Sequence, residues 1–185
     1  MTLRISMKAC EMSNKMRKGI LFFCVVLLLT GISGCKVYSF TGASIPADVK
    51  TVTVEQIRNV ANNGPALLNQ TLTDKLKNKF TTEGNLRQVT YDGDIVFKGS
   101  ITSFTFNPQA PTAQVQAGVN RLTITIQISF TNKKYPKDSW KQPETFSRYA
   151  DAPGNQNLVD VQDKLIDDIV KQLVDDVFNK AFVKW

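Results

Sequence analysis

Hydrophobic and polar positions alternate most cleanly late in the chain. Leu122, Ile124, Ile126, Ile128 and Phe130 are interleaved with Thr123, Thr125, Gln127, Ser129 and Thr131. A period of two with one face wholly aliphatic or aromatic and the other wholly polar predicts a strand in a sheet covered on one side only. Two other stretches carry a helical period. Leu68, Leu72, Leu76 and Phe80 recur every fourth position among Asp74, Lys75, Lys77 and Lys79, and Gly84 is placed to end that helix. Val161, Leu165, Ile169, Leu173, Val177 and Phe178 line one side of a longer segment, Leu158 to Phe182, with Asp160, Asp163, Asp167, Lys171 and Asp175 on the other.

Shorter β-rich segments fill the remainder. Val49–Ile57 reads as a first strand, and Asn62-Asn63-Gly64-Pro65 as a loop. Leu86–Tyr91 and Ile95–Phe106 flank Asp92-Gly93, a hairpin signature, and Gly99 in the second of these is expected to mark a bulge. Asn107–Gly118 reads as a loop, Lys133–Lys141 as a basic turn and Thr145–Ala150 as a last strand. The order is β-α-β-β-β-β-α. A one-sided, mainly antiparallel sheet needs its apolar face covered, and two amphipathic helices are available to cover it, so the expected fold is a two-layer α+β sandwich.

The first part of the chain follows a different rule. Gly19–Thr30 is an apolar run of about a dozen residues behind Lys15, Arg17 and Lys18, short for a bilayer span of roughly 20 and suited to a signal-peptide core. Ile32-Ser33-Gly34-Cys35 then resembles the bacterial lipobox, in which two small residues admit the peptidase and the cysteine thiol receives diacylglycerol. Starts at Met7, Met12 or Met16 would all leave this signal intact. The expected organisation is a signal peptide over residues 1–34, a lipidated tether over 35–48 and one domain over 49–185. After cleavage Cys35 would be the sole cysteine, which excludes disulfides, a cysteine nucleophile and a thiolate metal site. Lys36 is not the aspartate that retains lipoproteins at the inner membrane, so an outer-membrane address facing the periplasm is expected.

Charge alters the picture less than it first suggests. The chain carries +7, yet residues 1–34 hold five basic and one acidic side chain, and the remaining 18 basic and 15 acidic residues leave +3. That balance, with both signs interspersed, does not call for a nucleic-acid partner. There is no His, and no phosphate-cradling Gly-rich loop, nucleophile elbow or metal-ligand spacing. The acidic pairs Asp92/Asp94, Asp163/Asp167, Asp167/Asp168 and Asp175/Asp176 fall at a turn or on the solvent face of a helix, where charge is ordinary. Neither an enzymatic activity nor a metal or cofactor is expected. The candidate binding constellation is basic: Lys133, Lys134, Lys137 and Lys141 surround Tyr135 and Trp140, and Arg121 and Arg148 sit on strands from which they would reach the polar sheet face. Such a set suits phosphates, with the aromatics against acyl or sugar surface; it also suits a solvated turn whose lysines discourage edge pairing.

The segment Tyr38–Pro46 (YSFTGASIP), the stretch Asn120–Ile126 (NRLTITI) and the ending Leu173–Lys180 (LVDDVFNK) are similar to a divergent branch of the LptE family of lipopolysaccharide-assembly lipoproteins. The resemblance spans essentially the whole chain after Cys35, in the same element order. It implies an outer-membrane lipoprotein that plugs the lumen of the LptD β-barrel and helps lipopolysaccharide reach the outer leaflet. The basic residues named above would then be candidates for lipopolysaccharide contact. A lipid-anchored periplasmic carrier or assembly factor for another envelope component is the alternative.

Overall fold

The computed structural model describes residues 45–110 and 118–183. The signal segment, Cys35 and most of the tether lie outside the described residues. The elements are β1 (Thr51–Val54), β2 (Arg58–Asn59), α1 (Leu68–Thr82), β3 (Arg87–Gln88), β4 (Ile95–Gln109), β5 (Val119–Asn132), a 3-10 turn (Pro136–Asp138), β6 (Glu144–Pro153) and α2 (Leu158–Phe182). They form one six-stranded mixed sheet in the order β3-β1-β4-β5-β6, with β2 beside β4. Both helices pack on its apolar face, and the expected two-layer α+β sandwich is observed.

The predicted helical stripes are the buried ones. Leu68, Leu72, Leu76 and Phe80 are all at most 2% exposed, and Leu165, Ile169, Leu173, Val177 and Phe178 are buried from α2. Ile166, Val170 and Val174 broaden the α2 stripe, because this helix lies against both the sheet and α1. Where the layers meet, Phe80 stacks on Phe97 at 4.3 Å and Phe97 lies 4.9 Å from Phe130, with Phe178 and Phe182 closing the cluster. The α1 chain reverses where expected: Asn85 takes φ 54°, Leu86 N–H bonds the Phe80 carbonyl, and a Cβ on Gly84 would sit 2.6 Å from that oxygen.

Three local expectations are corrected. First, Asp92-Gly93 does not close a hairpin. β3 runs parallel to β1 (Thr51↔Arg87, Val52↔Gln88), and β1, also parallel to β4, lies between them. Val52 and Val54 are buried, so β1 gains most from a central place, and the turn residues bond to it: Thr53 Oγ1 donates to the Val89 carbonyl and accepts from Gly93 N–H. Second, the bulge falls between Ile101 and Ser103, while Gly99 pairs regularly with Ile128. The bulge moves the inward phase from Ile95, Phe97 and Ile101 to Phe104, keeping aromatic rings in the core. Gly99 serves close approach instead, since a Cβ there would lie 2.5 Å from both the Gln127 carbonyl oxygen and Ile128 Cδ1. Third, the start of Asn107–Gly118 is strand: β4 runs on through Gln109, with Pro108 opposite Asn120. Proline is tolerated because β2 stops at Asn59↔Ile101, so beyond it the outer edge of β4 needs no N–H.

The second face of the sheet is polar. Ser100, Ser103 and Thr105 of β4 stand opposite Gln127, Thr125 and Thr123 of β5, which in turn face Thr145, Ser147 and Tyr149 of β6. Hydroxyls meet directly there, Thr125 Oγ1 lying 3.0 Å from Ser147 Oγ.

Candidate functional site

The six basic candidates separate into three places. Lys133, Lys134, Lys137 and Lys141 stay together in the β5–β6 connection, which is an ordered turn. Asn132 is 5% exposed at the end of β5; its side-chain oxygen accepts Tyr135 N–H at 2.8 Å, and its N–H donates to Ser139 Oγ at 2.8 Å. Trp140 N–H then bonds the Phe130 carbonyl, folding the connection back over the strand end. Trp140 accordingly packs into the core, 5.5 Å from Phe130 and 5.9 Å from Phe146, and so is not presented to acyl or sugar surface, one of the two readings the sequence left open.

Two of the lysines are committed to carboxylates that the sequence reading left unassigned. Lys133 Nζ donates to Asp92, and Lys134 Nζ lies 3.4 Å from Asp94 and donates to the Asp48 carbonyl. Tyr135 donates its hydroxyl to the Asp48 carboxylate at 2.9 Å, which raises the phenol pKa. The Lys133 hydrogen bond lowers the pKa of Asp92. Asp94 is lowered further, to about 2, because its carboxylate accepts the Lys50 and Thr51 backbone N–H groups and faces Lys134. The basic turn is thus fastened to Asp48, three residues before β1. Lys137 and Lys141 are exposed and have no ion-pair partner among the described residues.

Arg121 does reach the polar sheet face. There it makes a two-pronged pair with Asp151 at 2.7 and 2.8 Å and lies 3.7 Å over the ring of half-exposed Tyr149. The pairing raises the guanidinium pKa and lowers that of Asp151. Arg148 does not join it. It stands opposite buried Ile124, on the helix side of the sheet, and grips Asp176 of α2 through two bonds of 2.5 and 2.6 Å. Strand parity decides the difference: positions 121 and 148 belong to opposite faces once Ile124 is paired with Arg148.

Two depressions border the basic turn. One of about 600 Å³ lies beside β1 and β3 and is lined by Thr53, Glu55, Thr90, Tyr91, Asp92, Lys98 and Lys133. The other, of about 260 Å³, lies between the domain entry and the end of α2, with Ile45, Pro46, Phe130, Asp138, Trp140, Lys180 and Phe182 around it. Among the described residues no cluster of His, Cys, Asp or Glu is placed to hold a metal ion, no buried side-chain polar atom lacks a partner, and no helix is long and apolar enough to cross a membrane. The chemistry on offer is recognition by polar and charged surface.

A family model described as LptE, lipopolysaccharide-assembly, matches residues 49–181. Among solved structures the chain is similar to a minor lipoprotein from Acinetobacter baumannii (18% identity, TM-score 0.41, 74% of this chain and 98% of that one). It is also similar to rare lipoprotein B from Shewanella oneidensis (10% identity, TM-score 0.43, 71% of this chain and 90% of that one). No curated protein matches the sequence.

Proposed function

Because the chain belongs to the LptE family of lipopolysaccharide-assembly proteins, we propose that it acts at the outer membrane, held by an acylated Cys35, as the periplasm-facing partner of an LptD-type β-barrel. The observation that carries this reading is the uncovered sheet face. Thr123, Thr125, Gln127, Ser129, Ser100, Thr105 and Ser147 present hydroxyl and amide groups in rows. Of the cations on this face, Lys98 and Arg121 are paired with Glu55 and Asp151, while Arg58, in register with Ser100 on the short β2, is exposed and without an ion-pair partner among the described residues. The lumen of a transmembrane barrel is polar, and a largely neutral, hydrogen-bonding face fits inside one at small desolvation cost.

Extraction of the acylated protein in mild detergent tests the reading. A large barrel protein is expected to co-purify, and a Thr125→Asp, Gln127→Glu variant is expected to lose it while remaining folded. Recovery of the protein as a monomer carrying lipid would overturn the barrel partnership and favour the carrier alternative.

A further inference from the structure

We propose that the pole of the domain formed by the basic β5–β6 turn docks on the anionic phospholipid surface of the membrane that holds the anchor. The inference rests on the acylation of Cys35 and concerns lysines that the barrel partnership does not use. Nine residues lie between Cys35 and Ile45, ten Cα–Cα steps, so the domain entry stays within about 35 Å of the bilayer even with that segment fully extended. The entry is not free to choose its neighbours. Asp48 is bound by Tyr135 through its carboxylate and by Lys134 through its carbonyl, and Lys50 N–H is bound by Asp94. Whatever direction the anchor pulls, it pulls on the basic turn.

The chemistry of this pole fits a headgroup layer. Lys50, Lys137 and Lys141 are exposed and have no ion-pair partner among the described residues; of the nearby acids, Asp92, Asp94 and Glu144 are each paired with a lysine, Glu144 with Lys180 at 3.6 Å, Asp48 accepts the Tyr135 hydroxyl, and Asp138 is not free either. The cations left over are therefore the ones that point outward. Tyr135, 38% exposed, adds an aromatic type that favours the interface between water and lipid. The opposite pole is built differently. At the far end of the 14-residue β5, about 43 Å away along the strand, Gly154 N–H meets the Gly118 carbonyl and Asn155 follows, without a lysine among residues 118–123 or 150–157.

Orientation on vesicles tests the proposal. Cys35 is consumed by acylation, so Gln142→Cys beside the basic turn and Asn155→Cys at the far pole each place one label on the mature, acylated chain. Energy transfer to a headgroup acceptor is expected to be stronger from position 142 than from 155 on vesicles of phosphatidylglycerol and phosphatidylcholine. The two are expected to converge on phosphatidylcholine alone, and when salt rises from about 0.1 to about 1 M. The triple variant Lys50→Gln, Lys137→Gln, Lys141→Gln should lower the ratio of turn-down to other orientations by up to about a hundredfold, roughly fivefold per lysine. Equal transfer from both labels on anionic vesicles, a triple variant that behaves like the parent, or a preference that appears only after lipopolysaccharide is added would each overturn it. Failure of the acylated chain to attach to any vesicle would refute the anchor and this docking together; attachment without orientation refutes the docking alone.

Discussion

Asp94 offers the sharpest test of how the domain entry is held. Its Oδ2 accepts Lys50 N–H at 2.8 Å and Thr51 N–H at 2.9 Å, while its own N–H donates to Thr51 Oγ1 at 2.9 Å. These bonds stitch the start of β4 to the start of β1, across a separation of more than 40 residues in sequence. The carboxyl pKa falls from 3.8 to about 2, first because of the Lys50 backbone bond. At about 1.4 kcal/mol per pKa unit the preference for the ionised form corresponds to roughly 2.5 kcal/mol; with the side chain 21% exposed, about 2 kcal/mol is a fair expectation. Asp94→Asn keeps the size and one acceptor oxygen but removes the charge, so it should cost about 1–2 kcal/mol at neutral pH. A carboxylate with a depressed folded-state pKa stabilises fully above its unfolded value and loses that contribution as pH falls through the folded value. The stability gap between parent and variant should therefore be constant above about pH 5 and shrink steadily between about pH 4 and pH 2. Equilibrium urea unfolding followed by tryptophan fluorescence measures both. A gap below about 0.5 kcal/mol at neutral pH, or one that does not narrow on acidification, would refute the role assigned to this carboxylate.

Ile126→Asp places a carboxylate at a fully buried position on the apolar face and should cost several kcal/mol, whereas Thr125→Asp, one residue away on the other face, should cost far less; equal losses in denaturant would contradict the one-sided sheet. Gly99→Ala drives a methyl against the Gln127 carbonyl and Ile128 and should destabilise by about 1–3 kcal/mol, read as a lower thermal midpoint. Cys35→Ser should leave the precursor uncleaved by the lipoprotein peptidase and without acyl chains; a normal lipid-bearing mass for that variant would refute the lipobox reading.

What the sequence revealed and what it hid follow from the range of the interactions. The two helices and β5 were legible because each is longer than its own repeat, so Leu68 to Phe80, Val161 to Phe178 and Leu122 to Phe130 display their period several times over. The place of β3 was not. Arg87 and Gln88 are too few to show a period, and the Asp92-Gly93 signature describes only a local turn, whereas the partners that capture it, Val52 and Thr53, lie about 40 residues upstream. The bulge was written in the chain as a change of phase, Ile101 to Phe104, which an assumption of unbroken alternation passes over. The candidate site was half legible. The lysine turn was found by its composition, but its counter-ions Asp92 and Asp94 and its further partner Asp48 come from two other loops, and no local pattern assigns them. Arg148 was misplaced for a related reason, since which face a residue near a strand end occupies depends on register with its neighbour.

The distribution of charge over the folded domain gives each surface a different capacity for contact. On the helical side several ions satisfy one another: Lys75 with Asp167, Lys79 with Asp175 and Glu83, Arg148 with Asp176. Bringing a partner onto those pairs would mean stripping water from charges that already have counter-ions, which returns little and costs desolvation. The sheet side carries mostly neutral hydroxyls and amides, which exchange water for a partner's hydrogen bonds at small cost, so it is the side most easily enclosed by another polar protein surface. The turn pole keeps Lys50, Lys137 and Lys141 without counter-ions among the described residues, and long-range attraction to an anionic surface needs only that. Three surfaces so unlike in charge let contacts of different kinds form without competing for the same side chains.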